Sequence, residues 1–316
     1  MLGFVFPGQG SQSLGMLSDI AHSFPSVEKT FAEASTVLNY DLWKLIQQGP
    51  TEELDKTIHT QPALLTASYA LWRILQSHMK IKPVLLAGHS LGEYTALVCA
   101  EAMSFTDAVK VVAARGQYMQ EASPAGQGAL AAIVGLDDAT VAELCQKAIL
   151  KNEVLAPANY NSPGQVVIAG HTEAVERAMI LAKESGARLA KILPVSVPSH
   201  CFLMKPAAER LQKMLNNIAF SQPNIPVINN VDVAIYQNAE MIRDGLVKQL
   251  FMPVRWVDTV KKFVTTGISS IVECGPGKVL NGLNKRIAPE MQLININELT
   301  SLQTFIGGQE CLIKVK

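Results

Sequence analysis

The strongest constraint on this chain lies in its first third, where the apolar run Val84-Leu-Leu-Ala87 stops abruptly at Gly88-His89-Ser90-Leu91-Gly92. An apolar run bounded by Pro83 and Gly88 predicts a buried strand, and the good helix formers from Glu93 to Glu101 predict a helix. Ser90 then falls on the turn between them, with a glycine two residues away on either side. That is the pattern of a nucleophile elbow, a sharp and strained turn that holds the serine hydroxyl above the sheet at a helix N-terminus. Oriented amides and the helix dipole favour developing negative charge there. A serine N-cap on an ordinary tight turn would carry the same letters, so the rest of the chain decides what the serine does.

The chain has 316 residues, 48% of them hydrophobic, which is enough for one large domain carrying an inserted subdomain. Leu2 to Phe6 predicts a first strand, followed by the loop Pro7-Gly8-Gln9-Gly10-Ser11-Gln12, whose glycines allow a close approach to another group. Ser13 stands where a dinucleotide fingerprint needs its third glycine, so nucleotide binding is rejected. Apolar positions at helical spacing follow from Ser26, and a helix is expected from Gln61 to Met79 with Pro62 in its first turn. Ser104 or Asp107 caps a further helix through Met119. Ser123-Pro-Ala-Gly-Gln-Gly128 reads as a linker.

Beyond that linker the rhythm changes. Strands at 129–134, 154–160, 165–169 and 188–195, with helices at 137–150 and 172–185 and a turn at Asn161-Ser-Pro-Gly164, give the order βαββαβ of a ferredoxin-like unit. Residues 125–197 are therefore expected to form a small inserted subdomain. Residues 1–124 and 198–316 are expected to form an α/β-hydrolase-like domain with a mostly parallel sheet, from strands and helices that alternate on both sides of the insertion. Gly275-Pro-Gly277-Lys278 resembles a phosphate cradle only superficially, since the glycines are too close together and Val279 replaces the hydroxyl residue.

The charge balance of 27 basic and 27 acidic residues argues against a general nucleic-acid or membrane-surface binder. Five cysteines, at 99, 145, 201, 274 and 311, lack the spacing of a disulfide framework or a zinc site. No metal is expected. No apolar span is long enough to cross a bilayer, and the expected location is the cytoplasm.

A serine nucleophile at neutral pH needs a base, and six histidines are available. His89 adjoins Ser90 at a strand end and points elsewhere; His22, His59 and His78 lie on predicted helices, and His171 in a turn of the insertion. His200 is the best candidate, because it follows the proline-stiffened segment 194–198 at the domain junction and has small neighbours, Ser199 and Cys201. Arg115, beside a small-residue stretch, reads either as a surface cation with a buried stem or as a fork presented to a carboxylate.

Six motifs in order, Phe6-Pro-Gly-Gln-Gly-Ser-Gln12, Gly88-His-Ser-Leu-Gly-Glu-Tyr94, Arg115-Gly116, Asn161-Ser-Pro-Gly164, Val195-Ser-Val-Pro-Ser-His200 and Glu273-Cys-Gly-Pro-Gly277, resemble the bacterial malonyl-CoA:acyl carrier protein transacylases of type II fatty acid synthesis. The resemblance spans nearly the whole chain. It implies a ping-pong transfer of malonyl from malonyl-CoA to the phosphopantetheine thiol of acyl carrier protein, with Ser90 as the temporary ester and His200 as its base. It further implies an oxyanion hole from the backbone amides of Gln9 and Leu91, and pairing of Arg115 with the malonyl carboxylate. Gln249 corresponds to the position that orients the histidine, and Gln61 and Asn161 to polar positions lining the cleft. The implied enzyme needs no cofactor and is expected to be a monomer. Because carrier proteins are acidic, a basic docking surface is expected, with Lys285 and Arg286 as the leading candidates beside Arg188, Lys191 and Lys278.

Two other readings compete. An α/β-hydrolase-like esterase would have an acid between Ser90 and its histidine and that histidine near the C-terminus, whereas here no histidine follows His200. A non-catalytic carrier-binding scaffold would have no need of Ser90, His200 and Arg115 together.

Overall fold

The computed structural model describes residues 1–124, 126–195 and 197–313, and side chains through residue 308. Ala125 of the expected linker and Ser196 of the segment before His200 lie outside the described residues. Among the described residues, nine strands form two sheets: β1 Leu2–Phe6, β2 Leu85–Gly88, β3 Gly128–Val134, β4 Leu155–Ser162, β5 Gln165–His171, β6 Leu189–Ile192, β7 Val227–Ile228, β8 Ser270–Cys274 and β9 Gln292–Ile296.

The five-stranded sheet has the order β7-β2-β1-β8-β9 and all its pairings are parallel. Both faces are covered, which explains why β1 and β2 are apolar throughout rather than alternating. Phe4, Phe6 and Leu86 pack on one side with the long helix Thr57–His78, where Trp72 meets Phe4 edge-on at 5.3 Å. Val5, Leu85 and Ala87 point the other way, into a cluster built on Trp256, Val260 and Phe263 of the helix Trp256–Thr265. β1 lies between β2 and β8, so the chain reverses its direction of winding there. The loops after the strands' carboxyl ends therefore share one crevice, where sheets of this kind bind ligands.

The four-stranded sheet is antiparallel, with order β4-β5-β3-β6. One face carries Ala131, Ile133, Val166 and Ile168 against the helices Asp138–Ala148 and Thr172–Glu184. The other face, with Leu130, Ala158, Val167 and Ala169, packs on Cys201 and turns toward the crevice. Its edge strand β4 is tied to the larger layer by two backbone bonds at Val254, which donates to Ala158 O and accepts from Tyr160 N, each at 2.9 Å.

Several local expectations need correction. The helix placed from Gln61 starts a turn earlier, at Thr57, so Pro62 lies inside it. Burial of Thr57, Thr60 and Gln61 holds that extra turn, and Pro62 simply leaves the Ile58 carbonyl without its helical donor. Strand β7 is only Val227–Ile228, because Asn229 Oδ1 accepts from the backbone N–H groups of Val231 and Asp232 and turns the chain. β6 is likewise shorter than the 188–195 segment, and a 3-10 turn, Phe202–Met204, precedes the helix Lys205–Leu215. Strand β9 and the helix Leu299–Ile313 were not anticipated.

Candidate active site

At the end of β2 the chain turns through Ser90 with φ 51° and ψ −107° and enters the helix Leu91–Cys99. Its neighbours have to be glycines: a Cβ on Gly88 would fall 1.8 Å from the Gly92 carbonyl carbon, and one on Gly92 would fall 2.0 Å from Phe6 O. The hydroxyl of Ser90 is 2.8 Å from His200 Nε2, and His200 Nδ1 is 2.7 Å from the backbone carbonyl of Gln249. A carbonyl can only accept, so Nδ1 carries the ring proton and Nε2 is left to take one from Ser90. His200 also sits at positive φ, 64°, with its N–H on Leu250 O at 2.9 Å. The chain at the end of the helix Ala239–Gln249 thus fixes the residue through one bond to its ring and one to its backbone. Burial, and then the nearby Arg115 cation, pull the His200 pKa down to about 3. It is therefore neutral at neutral pH, with Nε2 unprotonated and held as a weak base.

Arg115 projects from the helix Phe105–Ala122, which packs closely on the helix Thr57–His78 because Gly116 faces Ile58 and Thr57. Of the two readings left open for it, the structure selects burial of the whole side chain, which is 1% exposed. Nη1 donates to Gln61 Oε1 at 2.7 Å, and Nη2 donates to Gln249 Oε1 at 3.0 Å and to Ser90 Oγ at 3.2 Å. All three partners are neutral, and Nε has no hydrogen-bond partner. A buried cation in that state is poised for an anion.

The two amides at the elbow differ. Ser90 N–H is already taken by Asn230 Oδ1 at 2.7 Å, whereas Leu91 opens the helix, where an N–H has no acceptor within the helix. Gln9, whose side-chain amide donates to Thr57 Oγ1 at 3.2 Å, borders the same space. That space is a cavity of about 180 Å³ bordered by Gln9, Gln61, Ser90, Leu91, Arg115 and His200. Leu130, Val167, Leu193 and Val195 cover it from the antiparallel side. Asn161 reaches it too, and its Oδ1 accepts from His89 Nε2 at 2.9 Å.

Ser90, His200, Gln249, Arg115, Gln61, Gln9, Leu91 and Asn161 thus come together around one cavity or its immediate support. Lys285 and Arg286 do not; they are exposed on the helix Val279–Ile287, where Arg286 Nη1 donates to Gln165 Oε1 at 2.6 Å. His59 and His171 are engaged elsewhere, with Tyr40 and with Val154 N. Sequence reasoning missed Asn230, Glu93 and Tyr236, all buried beneath Ser90. The pair Asn229-Asn230 closing a strand was the one visible signal.

A serine–histidine pair at the carboxyl end of a parallel sheet, beside the free N-terminal amide of a helix, defines an enzyme of the acyl-transfer class. The chain belongs to the acyl transferase domain family, whose model matches residues 3–294, and within it to the malonyl CoA-acyl carrier protein transacylases. It is 57% identical to the malonyl CoA-acyl carrier protein transacylase of Escherichia coli O157:H7 over 95% of this chain and 96% of the relative. The Bacillus subtilis (strain 168) relative is 42% identical over 96% of both chains. Among solved structures, an acyl carrier protein S-malonyltransferase from Vibrio cholerae aligns with a TM-score of 0.94 and 54% identity, covering 96% and 99% of the two chains. A malonyl-transacylase solved in complex with a type II polyketide synthase acyl-carrier protein aligns with a TM-score of 0.95 and 54% identity, covering 97% and 99%.

Proposed function

We propose that this protein moves a malonyl group from malonyl-CoA to the thiol of acyl carrier protein through an ester on Ser90. The observation that carries the reading is Arg115, a buried guanidinium 3.2 Å from the Ser90 hydroxyl with neutral partners and an unpaired Nε. A small acyl group ending in a carboxylate satisfies both features at once. An uncharged acetyl group leaves the cation unpaired, and such a site discriminates strongly against it.

In the first half-reaction Ser90 Oγ attacks the thioester carbonyl while His200 Nε2 takes its proton. The backbone N–H groups of Gln9 and Leu91 receive the charge that develops on the carbonyl oxygen. One such donor is worth about 2.7–4 kcal/mol of barrier. The carbon–sulfur bond breaks, and the departing CoA sulfur takes the proton back from Nε2. In the second half the carrier's thiol gives its proton to Nε2 and attacks the ester; Ser90 leaves and recovers the proton. Gln249 holds Nδ1 throughout with its carbonyl.

The neutral carbonyl behind His200 bears on the choice of acceptor. A histidine held as a weak base suits a thiol, with a pKa near ~8.5, far better than water at about 15.7. The ester therefore waits for a thiol instead of hydrolysing. Gln61 orients Arg115, and Asn161 fixes His89 beside the acyl group. No cofactor is required. The carrier docks on the exposed Lys285 and Arg286, with Arg188, Lys191 and Lys278 as further basic contacts, and the protein works as a monomer in the cytoplasm. Among the described residues no helix is long and apolar enough to cross a membrane.

Intact-mass measurement after mixing with malonyl-CoA tests the reading. One malonyl adduct is expected on the wild type and none on Ser90→Ala. An undiminished adduct on the variant would overturn it.

A further inference from the structure

Beneath the elbow lies a carboxylate that the transfer steps leave unused. Glu93, the third residue of the helix Leu91–Cys99, is completely buried. Its Oε2 accepts from the backbone N–H of Asn230 at 3.0 Å and from Gln249 Nε2 at 2.8 Å, and its Oε1 accepts from the Tyr236 hydroxyl.

The two residues on Oε2 are the ones that grip Ser90. Asn230 Oδ1 accepts from Ser90 N–H at 2.7 Å, while Asn230 Nδ2 donates to Gly88 O at 2.7 Å. Gln249 Nε2 donates to Ser90 O at 2.9 Å. Both backbone polar groups of Ser90 are thus clasped by the side chains of two residues that share one carboxylate oxygen, Asn230 through its backbone N–H and Gln249 through its side-chain amide. The clasp has work to do, because a serine at φ 51° and ψ −107° persists only where its surroundings over-determine it. Gln249 also presents its backbone carbonyl to His200 Nδ1. One buried carboxylate is therefore a single bond away from the supports of both the serine and the histidine.

We propose that Glu93 is a positioning residue for the transfer: by anchoring Asn230 and Gln249 it sets the geometry of the Ser90–His200 pair. In a hydrolase triad the acid touches the histidine directly; here it stands one glutamine removed. The proposal rests on reading Ser90 as nucleophile and His200 as base, and is independent of which acyl group is carried.

The chemistry of the three partners says which substitution keeps the anchor. Asn230 N–H and Gln249 Nε2 can only donate, while the Tyr236 hydroxyl can donate or accept. A glutamine at position 93 can therefore keep Oε1 on the two obligate donors and give its Nε2 hydrogen to Tyr236. Alanine removes the anchor, and aspartate withdraws it by one methylene.

Labelling of Ser90 by a fluorophosphonate, in which Oγ displaces fluoride at phosphorus as His200 takes the proton, reads this geometry without a malonyl group. With the full chain, Glu93→Ala is expected to label about 100-fold more slowly, the scale of a 1 Å misplacement. Glu93→Gln should recover to within about threefold of the wild type, and Glu93→Asp should be slowed about 10-fold. In malonyl transfer the loss should fall on kcat, with KM for malonyl-CoA within about twofold of the wild type. A folded Glu93→Ala that labels at the wild-type rate overturns the proposal; if that variant does not fold, a wild-type rate in Glu93→Asp does so. Wild-type protein that labels with the fluorophosphonate but never takes a malonyl group would sink the malonyl reading and leave this one standing.

Discussion

The cavity has a floor and a roof of opposite character. The floor lies at the carboxyl ends of the parallel strands and holds the reacting polar groups, Ser90 of the elbow, His200 and the helix-borne Arg115, locked in hydrogen bonds at 2.7–3.2 Å. The roof is one face of the antiparallel sheet and contributes Leu130, Val167, Leu193 and Val195, with Asn159 and Asn161 of β4 as its polar members. A parallel sheet buried on both faces gives rigid strand ends at which several loops converge, so it can hold charges to a fraction of an ångström. An antiparallel sheet with one covered face can offer an apolar surface that excludes water. Chemistry and shielding are thereby divided between two layers, which are tied at Val254 and at Arg286 and enclose the cavity between them.

The largest expected effect tests that division directly. Arg115→Ala should lower malonyl transfer about 10³-fold, in the range lost with one strong charge-directed donor, and should narrow the preference for malonyl-CoA over acetyl-CoA. Leu130→Ala on the roof should cost less than about 10-fold and leave the preference intact. Steady-state transfer rates with both thioesters decide it. Equal losses from the two variants, or an unchanged preference in Arg115→Ala, would break the comparison.

A smaller effect should appear in the stability of the floor, which holds two groups shifted in opposite directions. His200 titrates at about 3 in the folded protein against an ordinary 6.5, so the unfolded chain binds the extra proton first, and its stability contribution is lost as pH falls below about 6.5. Glu93 is raised by burial to about 7 from an ordinary 4.5, so its contribution is lost as pH rises through 7. Thermal unfolding at several pH values should therefore show two opposite trends. The wild type loses Tm relative to His200→Gln between pH 7 and pH 5, and relative to Glu93→Gln between pH 5 and pH 8. Parallel curves for the wild type and both variants would show that neither charge is held as the burial implies.

The floor was also the more legible region in the sequence, though unevenly. Ser90 announces itself because the elbow is local: strand, glycine, serine and helix lie within a dozen residues. His200 could be placed because prolines stiffen the segment before it. Arg115 could not be decided from its neighbours, since whether a guanidinium is buried depends on Gly116 bringing two helices together, which is a tertiary fact. Gln249 holds His200 through a backbone carbonyl, which every residue has, and its side-chain bonds to Arg115, Ser90 and Glu93 reach across 134 to 159 residues, so nothing local marks it. Glu93 reads in sequence as a good helix former on what looks like an ordinary helix, and its partners lie 137 to 156 residues away. On the roof the alternation of short strands and helices showed the βαββαβ order. β9 escaped because an edge strand with only one fully buried residue has a weak pattern.

The smallest effect concerns the place where floor and roof touch at the surface. Arg286, on the floor's helix Val279–Ile287, bonds Gln165 at the start of β5, while Lys285 beside it is exposed and Val279 at the helix start borders the cavity with 49% exposure. Exposed basic residues on a helix whose start borders the cavity would suit an acidic carrier, whose approach is steered by charge and weakened by salt. The double reversal Lys285→Glu with Arg286→Glu should raise KM for the carrier about 10-fold at low ionic strength. The difference should shrink toward the wild-type value in high salt, because exposed charges are screened over about 8–10 Å near physiological ionic strength. Loading of Ser90 by malonyl-CoA, followed as the mass adduct before any carrier is added, should stay within about twofold of the wild type, since neither side chain lines the cavity. Two half-reactions slowed equally would mean that the reversal has loosened the Arg286–Gln165 tie and shifted the roof over the floor, and the basic pair would then be a brace between the layers rather than a landing surface.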